Sequence, residues 1–107
     1  MAEFKTLLKR AEKVKFKYEE LNRRKGQVSW RAPEYAQGLV GDAADLIKFV
    51  LAYKKSKKKK EMDKKIRHEL ADCLWSMMAV ALELDIDLEK EFLLNLEYLE
   101  QKLTEEE

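Results

Sequence analysis

Gly38-Leu39-Val40-Gly41-Asp42-Ala43-Ala44-Asp45-Leu46 and Glu69-Leu70-Ala71-Asp72-Cys73-Leu74-Trp75, with the lysine tract Lys54–Lys60 between them, decide how this chain is read. Each stretch carries two carboxylates three residues apart, a spacing that puts both on one face of a helix. If the two helices fold back on each other, facing residues share a constant sum of residue numbers. Asp42 with Asp72 and Asp45 with Glu69 share one such sum, and its midpoint is residue 57, inside the lysine tract. The two acidic pairs therefore stand at one height on an antiparallel hairpin, and residues 54–62 form its exposed, self-repelling, lysine-rich turn.

Outward from the hairpin, apolar residues keep helical spacing almost throughout. A first helix is predicted from Phe4 to Lys25, with Leu7, Leu8, Ala11, Val14, Tyr18 and Leu21 on one side and Gly26 placed to end it. Pro33 suits the first turn of the second, which runs to Tyr53 and buries Tyr35, Leu39, Leu46, Ile47, Phe49 and Val50. The third spans Met62 to Leu84, with Ile66, Leu70, Cys73, Leu74, Met77, Met78 and Ala81 as its apolar stripe. Asp87 is placed to cap a fourth helix from Leu88 to Leu103, and Glu89 in its first turn complements the helix dipole. The expectation is an all-α fold: one domain, residues 1–107, of four helices around a central hairpin.

Composition agrees. The chain is 46% hydrophobic and 40% charged with three glycines and one proline, which suits helices better than sheets or disorder. At 107 residues it buries a limited core of its own, so self-association is expected. No run is long and apolar enough for a signal peptide or a membrane span, and Cys73 has no partner for a disulfide, which places the chain in the cytoplasm. A net charge of +1 argues against a general nucleic-acid binder, although charge is unevenly spread. Eight lysines lie between Lys54 and Lys65 against Glu61 and Asp63; ten acidic residues lie between Glu83 and Glu107 against Lys90 and Lys102.

Four carboxylates gathered at one height repel, each pair by roughly 3 kcal/mol at about 5 Å and an effective dielectric near 20. A cation must compensate, and an all-oxygen set without thiolate or imidazole suits Mg²⁺, or Mn²⁺, better than zinc or copper. Gly38 and Gly41, each costing about 1 kcal/mol inside a helix, lie just before Asp42 and leave room either for a bound group or for a close helix. His68 adjoins Glu69, but the Glu-x-x-His motif of di-iron bundles is absent, and His68 reads as a surface residue.

With these residues in place, the chain resembles the MazG-like all-α nucleoside triphosphate pyrophosphohydrolases. Their hallmark is a Glu-x-x-Glu pair followed by Glu-x-x-Asp, here Asp42-x-x-Asp45 and Glu69-x-x-Asp72, and the similarity covers residues 30–103. The resemblance implies Mg²⁺-dependent hydrolysis between the α- and β-phosphates of a nucleoside triphosphate, giving monophosphate and pyrophosphate, as in clearing unwanted nucleotides. It implies Asp42, Asp45, Glu69 and Asp72 as metal ligands, Asp45 also acting on the attacking water, and a homodimer or homotetramer that completes the bundle across subunits. Aspartates replace both glutamates of the first pair. In the fourth helix the family often carries a lysine and, four residues on, an asparagine toward the phosphates; Asn95 and Leu99 occupy those places here and Lys102 follows, which leaves Asn95 and Lys102 as candidates.

Further substrate contacts suggest themselves. Trp30, just ahead of the second helix, is either a wall for the base, as in similar proteins, or a hydrophobic plug. Lys48 and Lys65, each one turn from a ligand, could reach phosphates as point charges or simply balance the acidic cluster. Ser76, one turn past Asp72, could hydrogen-bond a substrate oxygen or its own helix. The competing functional expectation is a non-catalytic helical interaction module that keeps the same fold.

Overall fold

Helix boundaries follow from local chemistry. A computed structural model describes residues 3–106 and contains α1 (Phe4–Arg24), α2 (Ala32–Lys55), α3 (Lys59–Glu83) and α4 (Leu88–Glu106), with no strand among the described residues. α1 stops where Gly26 adopts φ +69°, and the Gly26 and Gln27 amides donate to the Arg23 and Asn22 carbonyls at 3.1 and 2.8 Å. That satisfies the last carbonyls of the helix. α2 starts with Pro33 in its first turn, and the Arg31 amide donates to Glu34 Oε1 at 2.8 Å. α3 ends in the same way as α1 except that Asp85, at φ +54°, takes the left-handed position usually given to glycine. Asp87 caps α4 as expected, its Oδ1 accepting from the Lys90 amide at 3.1 Å.

The lysine turn is shorter than residues 54–62. α2 continues through Lys55 and α3 starts at Lys59, leaving Ser56–Lys58 as the link, with the Lys58 amide donating to Ser56 Oγ at 2.9 Å. Lysine is a good helix former, and Lys54 and Lys55 sit well at the negative end of α2, so self-repulsion between solvated ammoniums does not stop either helix. α2 and α3 then run antiparallel and share the largest interface in the chain. The Lys59 ammonium over Tyr53, the Lys65 ammonium over Phe49 and Trp75 against Tyr35 mark successive levels down the hairpin. The Lys65–Phe49 pair shares the midpoint expected of the acidic pairs.

α1 leans on α3, and α4 packs only weakly on the rest. The core is accordingly thin: Ala11, Tyr35, Cys73, Met78, Ala79 and Ala81 are its buried apolar residues. Five residues expected inside, Ile47, Val50, Leu70, Leu74 and Met77, are exposed instead, Ile47 by 61%. Two helices and a leaning third cannot cover every side of a hairpin that is apolar on more than one face. The chain exposes 9055 Å² where a folded monomer of its mass exposes about 6,200 Å². Its radius of gyration is 17.0 Å, against about 13 Å for a compact chain of this length. No helix is long and apolar enough to cross a membrane.

Candidate metal centre and its groove

The α2–α3 hairpin brings the two acidic pairs toward each other. Loss of water raises the Glu69 carboxyl above its ordinary range, and the charges of Asp42, Asp45 and Asp72 raise it further, with His68 opposing. Burial, followed by Asp42, Glu69 and Asp72, likewise pushes up the Cys73 thiol. Cys73 is buried, and its proton is held by its surroundings. Glu69 Oε2 is enclosed without a hydrogen-bond partner, a costly condition for a carboxylate oxygen.

The halves of the cluster are not equivalent. On α3, ligand atoms of His68, Glu69 and Asp72 lie within 4.8 Å of one another, and His68 Nε2 is 3.0 Å from Asp72 Oδ2. The aspartates of α2 stand outside that group. Their side chains are one methylene shorter than glutamate, so they reach the cluster through charge more than through contact. His68 is a surface residue, as expected, but it also serves as a hydrogen-bonding neighbour of Asp72 one turn away.

Asp42 and Asp72 also form one wall of a groove of about 740 Å³ between α1, α2 and α3. Its other wall is aromatic. Trp30 meets Tyr35 edge-on at 5.6 Å, Tyr35 meets Trp75 at 5.6 Å, and Trp75 meets Tyr18 at 5.8 Å. Gly38 is what lets Trp30 close down, since a Cβ there would lie 3.2 Å from the indole. The space is thus filled by an aromatic side chain and not by a neighbouring helix. Gly41 has nothing within 4 Å of a built Cβ, and nothing in the structure explains it. Ser76 is buried and faces the groove.

The remaining candidates are not brought together. Lys48 is exposed on α2, and the Lys65 ammonium lies 5.3 Å over the Phe49 ring; neither lines the groove. Asn95 and Lys102 are exposed on α4, which stands away from it. The lysines are turned aside because they sit on flanks of the hairpin, where solvent and a ring face hold the charge.

An ion-paired cluster at the far end of the groove is not apparent from charge pattern alone. Lys15 is buried, its Nζ donating to Glu19 Oε1 at 2.6 Å and Glu83 Oε2 at 2.7 Å and standing 5.9 Å over Tyr35. Burial pulls the Lys15 ammonium down, but the hydrogen bonds and charges of Glu19 and Glu83 more than reverse this, raising it above the ordinary 10.5. Arg31 Nη1 lies 3.7 Å from Glu83 Oε1, tying the segment that carries Trp30 to the end of α3. Burial also raises the Tyr35 hydroxyl. The spacing Ala11, Lys15, Tyr18 puts Lys15 on the apolar stripe of α1, a signal present in the sequence.

No family model, curated protein or solved structure matches the chain.

Proposed function

We propose that this chain is a Mg²⁺-dependent nucleotide pyrophosphohydrolase of the MazG-like kind, acting between the α- and β-phosphates of ribo- or deoxynucleoside triphosphates. The observation that carries the reading is that one groove joins an aromatic wall to Asp42 and Asp72, two of the four gathered carboxylates. A nucleotide has the same division, a flat apolar base at one end and an anionic chain that needs a cation at the other.

The donor set fits Mg²⁺ or Mn²⁺. Asp42, Asp45, Glu69 and Asp72 offer oxygen only, and the unpartnered Glu69 oxygen is the group a hard cation would satisfy. When bound, the ion supplies charge neutralisation for the phosphate oxygens. The chain's own residues do the rest. Asp45, exposed and outside the tight α3 group, is free to orient the attacking water and accept its proton. Trp30, backed by Tyr35, stacks on the base for about 1 kcal/mol, and the Ser76 hydroxyl donates to a substrate oxygen. Such an enzyme belongs in the cytoplasm, clearing unwanted nucleotides as a homodimer or homotetramer.

The test is incubation with Mg²⁺ and a panel of ribo- and deoxynucleoside triphosphates, with monophosphate and pyrophosphate measured as products. Formation of both from one or more substrates is expected. Turnover of none would favour the second reading, a non-catalytic helical interaction module, which the large exposed apolar faces also suit.

A further inference from the structure

The α1 wall of the groove changes character at one residue. Val14, Tyr18 and Asn22 recur at steps of four, so one face of α1 lines the space, apolar and aromatic for two turns and then a carboxamide. Asn22 is half-buried, and its side chain takes part in no hydrogen bond among the described residues. The helix does not account for it either. Asparagine is a weak helix former suited to caps and turns, whereas the caps of α1 are Glu3 and Lys25.

Two contacts fix the level at which Asn22 stands. Tyr18 meets Trp75 at 5.8 Å, and Lys15, three residues before Tyr18, reaches Glu83, eight residues after Trp75, at 2.7 Å. α1 therefore runs antiparallel to α3. One turn on from Tyr18 comes Asn22, and one turn back from Trp75 come Ala71 and Asp72; all three line the groove. Trp30 lies against Gly38, one turn before Asp42. Asn22 thus stands at the junction between the rings and the carboxylates.

In a nucleotide, the group at that junction is the sugar, which joins the base on Trp30 to phosphates at Asp42 and Asp72. A phosphate oxygen only accepts hydrogen bonds and would leave the carboxamide oxygen idle, whereas neighbouring hydroxyls use both halves of it. One hydroxyl donates to Oδ1 and the other accepts from Nδ2. Ribose offers such a pair; 2′-deoxyribose does not. We infer that Asn22 holds the 2′- and 3′-hydroxyls of the bound sugar and makes the groove selective for ribonucleotides over their 2′-deoxy counterparts. This selectivity rests on the proposed nucleotide site and narrows its substrate class. The groove is open to water, so the group left without a partner by a deoxy sugar is partly resolvated, and a ratio of about tenfold is expected in place of the far larger ratios of sealed sites.

Binding and turnover test this separately. The tryptophan fluorescence of the full chain, which carries Trp30 and Trp75 in the groove, is titrated in Mg²⁺ with matched ribo- and 2′-deoxynucleoside monophosphates of each common base, and kcat/KM is measured for the matching triphosphates. Wild type should favour the ribose form by about tenfold in both measurements. Asn22→Leu and Asn22→Ala, each checked for helicity by circular dichroism, should bring the ratio to about one by weakening the ribose form alone, with the deoxy form within about twofold of wild type. A wild-type ratio of about one or below, or a ratio that both variants leave unchanged, would overturn the role of Asn22 even where turnover upholds the pyrophosphohydrolase. Ribose-selective binding that depends on Asn22, without turnover of any triphosphate, would uphold that role and overturn the catalytic reading. Binding of no nucleotide would overturn both.

Discussion

The two faces of α2 are built from the same residue types and reach opposite conditions. The inner face packs Tyr35, Leu39, Leu46 and Phe49 toward α3 and holds Asp42 at a groove, while the outer face leaves Val40, Ile47 and Leu51 in water. The inner face is covered because α3 packs along it, while α1, leaning on α3, closes the far side of the groove with edge-on rings and the Lys15 ion pairs. The outer face has no second layer within the chain. The contrast separates what one copy can organise, a site, from what it cannot, a core.

Substitution of a proposed ligand should change the inner face most. Asp72→Asn keeps shape and removes charge, and should lower turnover by more than about 100-fold with circular dichroism unchanged. An active variant would detach the chemistry from the α3 pair.

The anchor of α1 comes next. Lys15→Met leaves the largely covered Glu83 carboxylate with only Arg31, at 3.7 Å, as a cation, at a cost of about 3 kcal/mol in chemical denaturation. Because the Lys15 pKa is raised on folding, its contribution is fully present below pH 10.5 and is lost as pH climbs through the higher folded value. The difference between wild type and variant should therefore close in strong alkali. A gap that stays constant would assign the effect to packing.

Glu69 tests the electrostatic side of the comparison. Its folded carboxyl binds a proton more tightly than the unfolded one, so the metal-free protein should lose stability as pH rises from 4.5 through the raised folded value. Glu69→Gln should remove that slope, and Mg²⁺ should stabilise wild type more at neutral pH than in acid. Equal stabilisation at both would count against a shared carboxylate site.

The smallest effect concerns Gly38. Gly38→Ala should stabilise α2 by up to about 1 kcal/mol while displacing Trp30, raising KM for nucleotide several-fold with kcat retained. A stabilised variant with unchanged KM would make Trp30 a plug and not a wall.

Much of the inner face was legible in the sequence. Helix starts and stops follow from Gly26, Pro33 and Asp87, whose backbone chemistry is local. The register of the acidic pairs follows from two spacings of three and a turn between them. The lysine tract is helical at both ends because repulsion between solvated charges is weaker than helix propensity. Ile47, Val50, Leu70, Leu74 and Met77 are exposed despite their spacing because apolar periodicity marks a face to be covered without saying what covers it. Lys48 and Lys65 lie a turn from Asp45 and Glu69 in sequence, but a side chain's direction depends on which flank of the hairpin it occupies. Lys15 hid among lysines of similar appearance; only its position between Ala11 and Tyr18 distinguished it.

The proposed cation site rests on facing carboxylates of α2 and α3. Calorimetric titration of Mg²⁺ into the wild type and into Asp72→Asn tests it most directly: saturable binding in the first and its loss in an equally folded second is the predicted result, and binding that is absent from both or identical in both would contradict it.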